Sequence, residues 1–439
     1  MLFPWIKARR QVKHYEQYSK SQWYSSAQLK ALQEEKLLAL LTHAAKNTPY
    51  YKKILDLGKL TNSSALEYLP SLPILDKSLL QAEFLNLISD SSADFTGHIH
   101  SSGGTTGQPV KYYLDDNLKV IGKAIERRGD FEWTHTRPQC RKAILWGRVD
   151  TKKRRLSLLR GFLNKQWKYY AYKASGNDLA AIAKSLGTVR PELIMGYSSM
   201  LGIIAEYLLQ KGIKDIRPKT ILATAEMLTE ETRVLAMQAF GCPVYNRYAS
   251  SEFGLIASEC EKGNLHIHTE RFVLEVLKDG KPVPPGEKGE IFITDLDNYA
   301  FPFLRYATGD IGAIAPETCS CGRGLTVLKK LSGRTADYIR TQSGINVLAV
   351  ETFTAFRSVC SRQEIKRVQI VQPALDRIVA RLITGDGFHA AMEDRIRSIL
   401  LELCFNNTGL KQIDFEYVKE LEVAPSGKTP FYISLLEGE

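Results

Sequence analysis

Long hydrophobic runs are absent from this sequence of 439 residues. A membrane-spanning helix needs about 20 consecutive apolar residues, and the opening MLFPWIKARR turns basic before a signal-like apolar segment develops. Internal repeats, low-complexity tracts and a Walker-type phosphate loop are missing as well. Cysteine is scarce: the seven residues cannot all pair, and they do not fit a secreted disulfide framework. We therefore expect a cytoplasmic protein without a transmembrane segment.

The size and charge of the chain limit its class. At roughly 150 residues per domain, 439 residues predict two or more domains. The net charge of +11 suits an anionic partner, and much of the excess lies in 7–13 and in the basic, aromatic segment 148–173. A solvated surface is the favoured interpretation of the second segment, and peripheral membrane contact is the alternative. Because no RNA- or DNA-binding signature accompanies it, we expect no nucleic-acid partner.

Hydrophobic spacing predicts an α/β fold. Ser25 and Gln28 fit a capping box, and the residues after them recur at helical spacing until TPYY at 48–51. Short apolar runs at 143–146, 193–195, 220–224 and 243–248 look like buried strands, with helices predicted at 199–211 and 229–240. This alternation favours a parallel βαβ sheet, whose ligands lie at the carboxyl ends of the strands.

The rest of the chain has a different pattern. Residues 264–315 alternate short strands with turns, which predicts an antiparallel or barrel-like subdomain. After 335, the runs IKRVQIVQ, DRIVARLI and QIDFEYVKEL accompany a predicted helix at 388–404. We expect a compact α+β unit of about 100 residues there.

The stretch SSGGTTGQP, Ser101 to Pro109, follows the β-like run HIH at 98–100. Its glycines would let backbone N–H groups point at an anion, and its hydroxyl side chains would add donors. The stretch contains no positive charge, and Gln108 stands where a phosphate loop carries lysine. Taken alone, such a loop is either an ordinary turn or a phosphate-binding loop.

Four further motifs follow this glycine loop in order: YASSEFG at 248–254, RYATGD at 305–310, GRTADYI at 333–339 and PSGK at 425–428. The series resembles the adenylate-forming superfamily of acyl-CoA ligases, most closely its phenylacetate-CoA ligase branch with the related capsule-biosynthesis, CapK-like proteins. The N-terminal stretch 23–55 is similar to the opening of that branch. The resemblance therefore covers essentially the whole chain, and the order of the motifs makes it specific.

The resemblance implies a large N-terminal adenylation domain, residues 1–334, with parallel βαβ sheets and a barrel-like subdomain. A small mobile α+β C-terminal lid domain, residues 335–439, would follow it. The implied reaction joins a carboxylic acid to ATP, giving acyl-AMP and pyrophosphate, and then transfers the acyl group to CoA. Catalysis would be mainly positioning and electrostatic stabilisation of phosphates, with ATP, Mg²⁺ and CoA as the implied cofactors.

The resemblance also assigns roles to residues around the ATP site. Tyr248 would lie against the adenine, and Glu252 would hold Mg²⁺, a hard cation that prefers carboxylate oxygen. Their structural alternatives are a buried strand-end aromatic and a solvated turn acid. The triphosphate would be gripped by Ser102, Gly104, Thr105 and Thr106.

Three further residues complete the implied site. Asp310 would accept hydrogen bonds from both ribose hydroxyls, and Arg334 would contact ribose or phosphate near the hinge. Lys428 would swing over the ATP site and supply the positive charge that the glycine loop lacks. Alternatively, TGD is a turn signal, Arg334 a surface arginine and Lys428 part of a basic tail. The chain departs from the family at Ala336, where an acid is common, and at Ala249, where glycine is usual.

Cysteine and histidine form a candidate metal site. Cys260 precedes His266 by six residues, and Cys319 and Cys321 follow in CSCGR. Three thiolates and one imidazole are typical of structural zinc, and several members of the resembled branch carry a similar set. His268 is an alternative fourth ligand, and reduced, unligated cysteines are the other alternative. The remaining cysteines are expected to pack as small hydrophobes: Cys140, Cys242, Cys360 and Cys404.

The leading hypothesis is an ATP-dependent carboxylate–CoA ligase. One alternative keeps adenylation but transfers the acyl group to an amine or hydroxyl acceptor in surface polysaccharide biosynthesis. The other is a non-catalytic nucleotide-binding scaffold. The sequence identifies neither the acid nor the residues lining its pocket. Because dimers are common in this branch, a homodimer is an open expectation.

Overall fold

The structure of the protein, a computed structural model, describes residues 4–60, 64–91, 96–101, 110–146, 165–170, 176–334, 338–345, 347–361, 363–423 and 429–436. Within these stretches, no helix is both long and apolar enough to cross a membrane. The described chain divides into two compact units. The first contains most of the described residues up to Leu331, and the second contains Gly309–Ile311 together with the described residues from Ser332 onward.

Helices dominate the N-terminal region. They are α1 (Pro4–Ser21), α2 (Ser26–Asn47), α3 (Pro49–Lys52), α4 (Leu57–Leu60), α5 (Ala65–Tyr68) and α6 (Lys77–Ala82). The predicted capping box is confirmed, because the Ser25 side chain accepts from the Gln28 backbone and the Gln28 side chain accepts from the Ser25 backbone. Helix α2 ends before TPYY, and it buries the predicted apolar stripe at Leu29, Leu37, Leu40, Leu41 and Ala44.

A β-hairpin and a long helix follow. Strands β1 (Gly97–Ser101) and β2 (Lys111–Asp115) pair antiparallel, and helix α7 (Asp116–Glu126) leaves directly from β2. Helix α7 continues into a π-helical turn, Arg127–Glu132. Such turns are rare in proteins, and those that occur often lie at functional sites. This one directs Arg128 and Asp130 into the interior.

The predicted parallel sheet is confirmed. Its elements are β3 (Lys142–Trp146), β4 (Gln166–Tyr170), α8 (Gly176–Val189), β5 (Leu193–Tyr197), α9 (Ser198–Gln210), β6 (Thr220–Thr224), α10 (Glu230–Phe240) and β7 (Val244–Ser250). The strands pair in parallel in the order β4-β3-β5-β6-β7. Strand β6 is buried along its whole length, as expected for a sheet with helices packed on it.

The antiparallel strands predicted at 264–315 are confirmed, but they extend the same sheet. Strand β8 turns back along β7 through a tight hairpin, so its backbone pairs with the last parallel strand. The added strands are β8 (Gly254–Glu259), β9 (Leu265–Ile267), β10 (Phe272–Lys278), β11 (Lys281–Pro282), β12 (Gly289–Asp295), β13 (Tyr306–Ile314) and β14 (Val327–Arg334). Continuing from β7, their order is β8-β9-β14-β13-β12-β10-β11, which gives twelve strands in one sheet.

The second unit is the small α+β structure that the sequence predicts. Its elements are β15 (Tyr338–Ile339), β16 (Val347–Leu348), α11 (Ala349–Val359), β17 (Ile365–Ala374), β18 (Arg377–Thr384), α12 (Ala390–Ile399), a π-helical turn at Leu400–Cys404, β19 (Gln412–Tyr417) and β20 (Tyr432–Ser434). The main sheet has the order β19-β18-β17-β20. Its own core, with Ile370, Ile378 and Phe356, indicates that the unit is stabilised independently of the first.

Candidate functional site

The two ends of the glycine loop are held by the β1–β2 hairpin. Ser101 ends β1 and lies opposite Lys111 at the start of β2, so the pairing closes the loop at its base. The side chains predicted to grip the triphosphate lie outside the described residues: Ser102, Gly104, Thr105 and Thr106. The structure therefore defines the two paired strands that flank the loop.

Tyr112 joins this hairpin to the Glu252 turn. Its hydroxyl donates a hydrogen bond of 2.6 Å to the backbone carbonyl of Ser251, and the side chain is only 2% exposed. Burial, reinforced by the nearby Glu252 carboxylate, raises the pKa of Tyr112 to about 12, so the hydroxyl stays protonated and remains a donor. Sequence reasoning missed this residue, because nothing in KYYLDD marks one tyrosine as different from the other.

Tyr248 and Glu252 lie on the β7–β8 hairpin, at the carboxyl end of a parallel strand. The register of the pair shifts between Tyr248 and Ala249, a β-bulge of the kind found beside active sites. Tyr248 is buried, and Glu252 is half-buried at the tip, where the Ser251 hydroxyl donates to its Oε2 at 3.2 Å. Phe253 anchors the turn by packing edge-on against Phe303, with ring centroids 5.1 Å apart.

Other predicted site residues are described only in part. Asp310 lies half-buried on β13, and Arg334 is the last residue of β14. Lys428 lies outside the described residues, as does Ala336. Arg305, the arginine of RYATGD, is buried and paired with Glu275 at 3.0 Å, so this arginine holds the fold together.

A buried ion pair supports strand β7. Arg247 Nε donates to Asp130 Oδ1 at 2.8 Å, next to Tyr248 and inside the first unit. Asp130 is 2% exposed, and burial raises the pKa of its carboxyl to about 6 despite the attraction of Arg247. The π-helical turn brings this acid to the strand, a placement that helical periodicity could not predict.

The candidate metal ligands predicted from sequence come together. The ligand atoms of Cys260, His266, Cys319 and Cys321 all lie within 4.8 Å of one another. Cys260 Sγ is 3.7 Å from Cys319 Sγ, and Cys321 Sγ is 3.3 Å from His266 Nε2. A tetrahedral zinc site with Zn–S bonds of about 2.3 Å has S–S edges of about 3.8 Å, so the donor set fits the ion.

Neighbouring groups set the orientation and the pKa values of side chains in this cluster. The ring nitrogen Nδ1 of His266 lies 3.1 Å from the Leu325 carbonyl, to which it donates, leaving the Nε2 lone pair facing Cys321. Burial lowers the pKa of His266, which keeps the imidazole neutral. Asn264 Nδ2 donates to Cys319 Sγ at 3.2 Å. For Cys319, hydrogen bonds of this kind outweigh burial and lower the thiol pKa, whereas burial raises the pKa of Cys260 to about 12.

Arg323 connects this Cys₃His cluster to the turn between α1 and α2. Its Nε donates to Gln22 Oε1 at 3.1 Å, and its Nη1 donates to Glu261 Oε2 at 2.9 Å. The guanidinium also lies 4.6 Å from the ring centre of Trp133, whose Nε1 donates to the same Gln22 oxygen at 2.8 Å. Arg323 is 8% exposed and donates to Cys321 as well, so a buried positive charge adjoins the thiols.

His268, the alternative fourth ligand, belongs to a different network. Arg128 Nη2 donates to its Nδ1 at 2.7 Å, and its Nε2 lies 3.2 Å from the Ser258 hydroxyl. Arg128 also pairs with Glu270. Both ring nitrogens of His268 are therefore engaged away from the cysteines, and His266 is the histidine of the cluster.

Comparisons with known proteins agree with this architecture. No family model matches the chain. Protein CapK of Staphylococcus aureus is 26% identical over 415 residues, covering 92% of this chain and 88% of that protein. A phenylacetate-coenzyme A ligase of Thermus thermophilus is 28% identical over 335 residues, covering 73% of each. The structure of 2-hydroxyisobutyryl-CoA ligase in the postadenylation state, with 2-HIB-AMP, matches with a TM-score of 0.71 at 17% identity, covering 92% of this chain and 89% of that chain.

The fold is that of an adenylate-forming ligase, with a large sheet-based unit and a small C-terminal unit. The sequence similarities point to particular members of this class. The chain is similar over most of its length to protein CapK and, over 73% of its length, to a phenylacetate-coenzyme A ligase, the two kinds of relative that its ordered motifs predict.

Proposed function

We propose that this protein activates a carboxylic acid with ATP and transfers the acyl group to CoA. A carboxylate oxygen attacks the α-phosphorus, the bond to the β-phosphate oxygen breaks, and pyrophosphate leaves. The CoA thiolate then attacks the acyl carbon and AMP leaves. The observation that carries the proposal is the hydrogen bond from Tyr112 to Ser251, because it joins the base of the glycine loop to the Glu252 turn.

The charges of the site support this chemistry. The Glu252 carboxylate is half-buried, and its Oε2 accepts a hydrogen bond of 3.2 Å from the Ser251 hydroxyl. Carboxylate oxygen is what Mg²⁺ prefers, so this side chain fits the ion, which neutralises phosphate charge when bound. In this proposal Tyr248, at the carboxyl end of β7, would lie against the adenine, and Asp310, on β13, would accept hydrogen bonds from the ribose hydroxyls.

We assign to Lys428 the positive charge that the glycine loop lacks. In this proposal Lys428 belongs to a C-terminal lid domain, residues 335–439, which is joined near Arg334 to an adenylation domain, residues 1–334. A lysine on a separate domain can leave after adenylation, which a lysine fixed in the loop could not do. The independent core of the second unit supports this division.

A second candidate function concerns the acceptor. The acceptor would be an amine or hydroxyl of a surface polysaccharide precursor, the alternative that the sequence motifs leave open. The similarity to CapK extends over 92% of the chain, farther than the 73% covered by the phenylacetate-coenzyme A ligase of Thermus thermophilus. A structure of 2-hydroxyisobutyryl-CoA ligase with 2-HIB-AMP and CoA, in the thioesterification state, matches with a TM-score of 0.60. We keep CoA as the leading acceptor, acting in the cytoplasm. A homodimer and peripheral membrane contact stay predictions from the sequence.

Product analysis tests the acceptor. The purified protein is incubated with ATP, Mg²⁺ and a panel of carboxylic acids, with CoA, amino compounds or sugars supplied in parallel, and products are identified by mass spectrometry. Thioester formation supports CoA, whereas amide or ester products with no thioester support the second candidate. Tight ATP binding without turnover of any acid supports the non-catalytic scaffold instead.

We also propose that the Cys₃His cluster holds structural zinc. The four donor atoms leave no position for substrate when all of them bind the ion, and the neutral imidazole and hydrogen-bonded thiols suit it. The ion would cross-link the segment that follows β8 to the segment that precedes β14. Its function would be to hold the antiparallel end of the sheet together.

A further inference from the structure

His100 is a polar residue at the base of the glycine loop that the proposed reaction has not used. It lies on β1, directly before Ser101, which closes the loop. Its Nε2 is buried and has no hydrogen-bond partner within the described stretches. Burying an unsatisfied donor or acceptor is costly, so such an atom calls for a partner.

The ring of His100 is positioned by Tyr112. The two residues are register partners across the hairpin, so their side chains extend from the same face. Their rings are stacked, with centroids 6.0 Å apart and an interplanar angle of 23°. Tyr112 is in turn tied to Ser251, beside Glu252. The imidazole is thereby fixed between the entrance of the loop and the turn that carries Glu252.

We propose that His100 is a further binding residue of this site: held by Tyr112, its Nε2 donates a hydrogen bond to an anionic oxygen of a bound substrate. The proposal rests on the proposed adenylation function. Phosphate and carboxylate oxygens share the required chemistry, and both substrates of the reaction carry one. Tyr112 acts as the positioning residue, since its hydroxyl contacts Ser251 and its ring orients the imidazole.

Four variants distinguish the loss of the hydrogen-bond donor from a general effect on the fold. His100→Leu removes the donor, and His100→Gln places an amide N–H near the position of Nε2. Tyr112→Phe keeps the stacked ring and removes the tie to Ser251. His98→Leu is the matched control, because His98 lies on the same strand and face but is exposed. Should His100→Leu fail to fold, His100→Asn takes its place.

Two readouts are measured for each variant: the Kd for Mg²⁺-ATP by calorimetry, and the KM for the carboxylic acid in pyrophosphate exchange. We expect His100→Leu to weaken one of them about tenfold, the loss typical of a hydrogen bond to a charged group, with His100→Gln recovering most of it. A raised Kd for ATP identifies phosphate, and a raised KM for the acid identifies carboxylate. Tyr112→Phe should raise the same constant, and His98→Leu should change neither.

Unchanged values of both constants in a folded His100→Leu protein would overturn the proposal. So would an equal loss in His100→Leu and His98→Leu, which would indicate a general effect on the strand. If the unsubstituted protein exchanges no pyrophosphate with any acid, the proposed function fails. The ATP Kd then still decides between a binding role for His100 and none.

Discussion

Nε2 of His266 lies 3.3 Å from Sγ of Cys321, although the two residues are 55 positions apart in the chain. His266 is on β9, and Cys321 is in the segment before β14, which pairs with β9. The cluster therefore lies where strands from distant parts of the sequence meet. The proposed zinc ion would add a cross-link there that the backbone pairing alone does not provide.

Replacing Cys319 with serine should remove the metal. One of four donors is lost, and the buried hydroxyl that replaces it binds zinc poorly because it stays protonated. We expect the zinc content to fall from one ion per chain towards none, and the free energy of unfolding to fall by more than about 3 kcal/mol. Elemental analysis and urea unfolding measure the two quantities.

Cys404→Ala serves as the control for that experiment. Cys404 is half-buried in the π-helical turn of the second unit and outside the cluster. The Cys404→Ala protein should therefore retain zinc. Equal zinc content in the Cys319→Ser protein and the unsubstituted protein would contradict the assignment of the cluster as a zinc site.

Arg323→Gln should weaken zinc binding without abolishing it. The substitution removes a buried positive charge beside the thiols and the hydrogen bonds to Gln22 and Glu261. Loss of such a supporting group typically costs 10–100-fold in metal affinity, roughly the effect expected here. Competition with a chelator measures it. Arg377→Gln, at an exposed pair with Asp414, should leave the affinity unchanged; a similar loss in both variants would count against a specific role for Arg323.

The buried Asp130 should make stability depend on pH. Its pKa of about 6 in the folded protein lies above the ordinary value of 3.8, so folding favours the protonated carboxyl. The stability that this group contributes is present below pH 3.8 and is lost as the pH rises through 6. A difference of about two pKa units corresponds to about 3 kcal/mol.

Asp130→Asn removes this titration. The free energy of unfolding of the unsubstituted protein, measured relative to that of the variant, should therefore decline between about pH 3 and about pH 7 by an amount on the order of 3 kcal/mol. Chemical unfolding at several pH values gives the comparison. An increase over the same range would mean that Arg247 dominates and that the carboxyl pKa is lowered on folding.

Lys428→Ala should separate the two half-reactions. If Lys428 supplies charge only to adenylation, acyl-AMP formation should slow by about 10²-fold or more, the loss typical of one electrostatic contact to a transition state. Thioester formation from supplied acyl-AMP should be largely intact. Rapid-quench kinetics of each step measure this, with Lys419→Ala as the control. An equal loss in both steps would reject the assignment.

Patterns with a fixed spacing were predictable from the sequence. The capping box at Ser25, the buried strand at 220–224 and the parallel βαβ order follow from local periodicity, and the structure confirms them. The Cys₃His cluster was predictable because cysteine and histidine are themselves typical metal ligands, so their residue types indicate the chemistry. The choice between His266 and His268 was not, since both are buried and only the network around Arg128 separates them.

Contacts between distant segments were not predictable. Tyr112 and Ser251 are 139 residues apart, and their hydrogen bond depends on how the β1–β2 hairpin meets the β7–β8 turn. Tyr113 has the same local signature as Tyr112, and only burial in the folded chain distinguishes the two. The continuation of the parallel sheet into antiparallel strands likewise depends on the pairing of β7 with β8.

Carboxylate-dependent exchange of labelled pyrophosphate into ATP tests the central claim most directly, because it reports acyl-AMP formation whatever the acceptor. The measurement uses the full-length protein, Mg²⁺ and a broad acid panel, with Glu252→Gln in parallel. We predict exchange with at least one acid and a loss of about 10²-fold in the Glu252→Gln protein. A folded protein with intact Lys428 that shows no exchange with any acid would contradict the account.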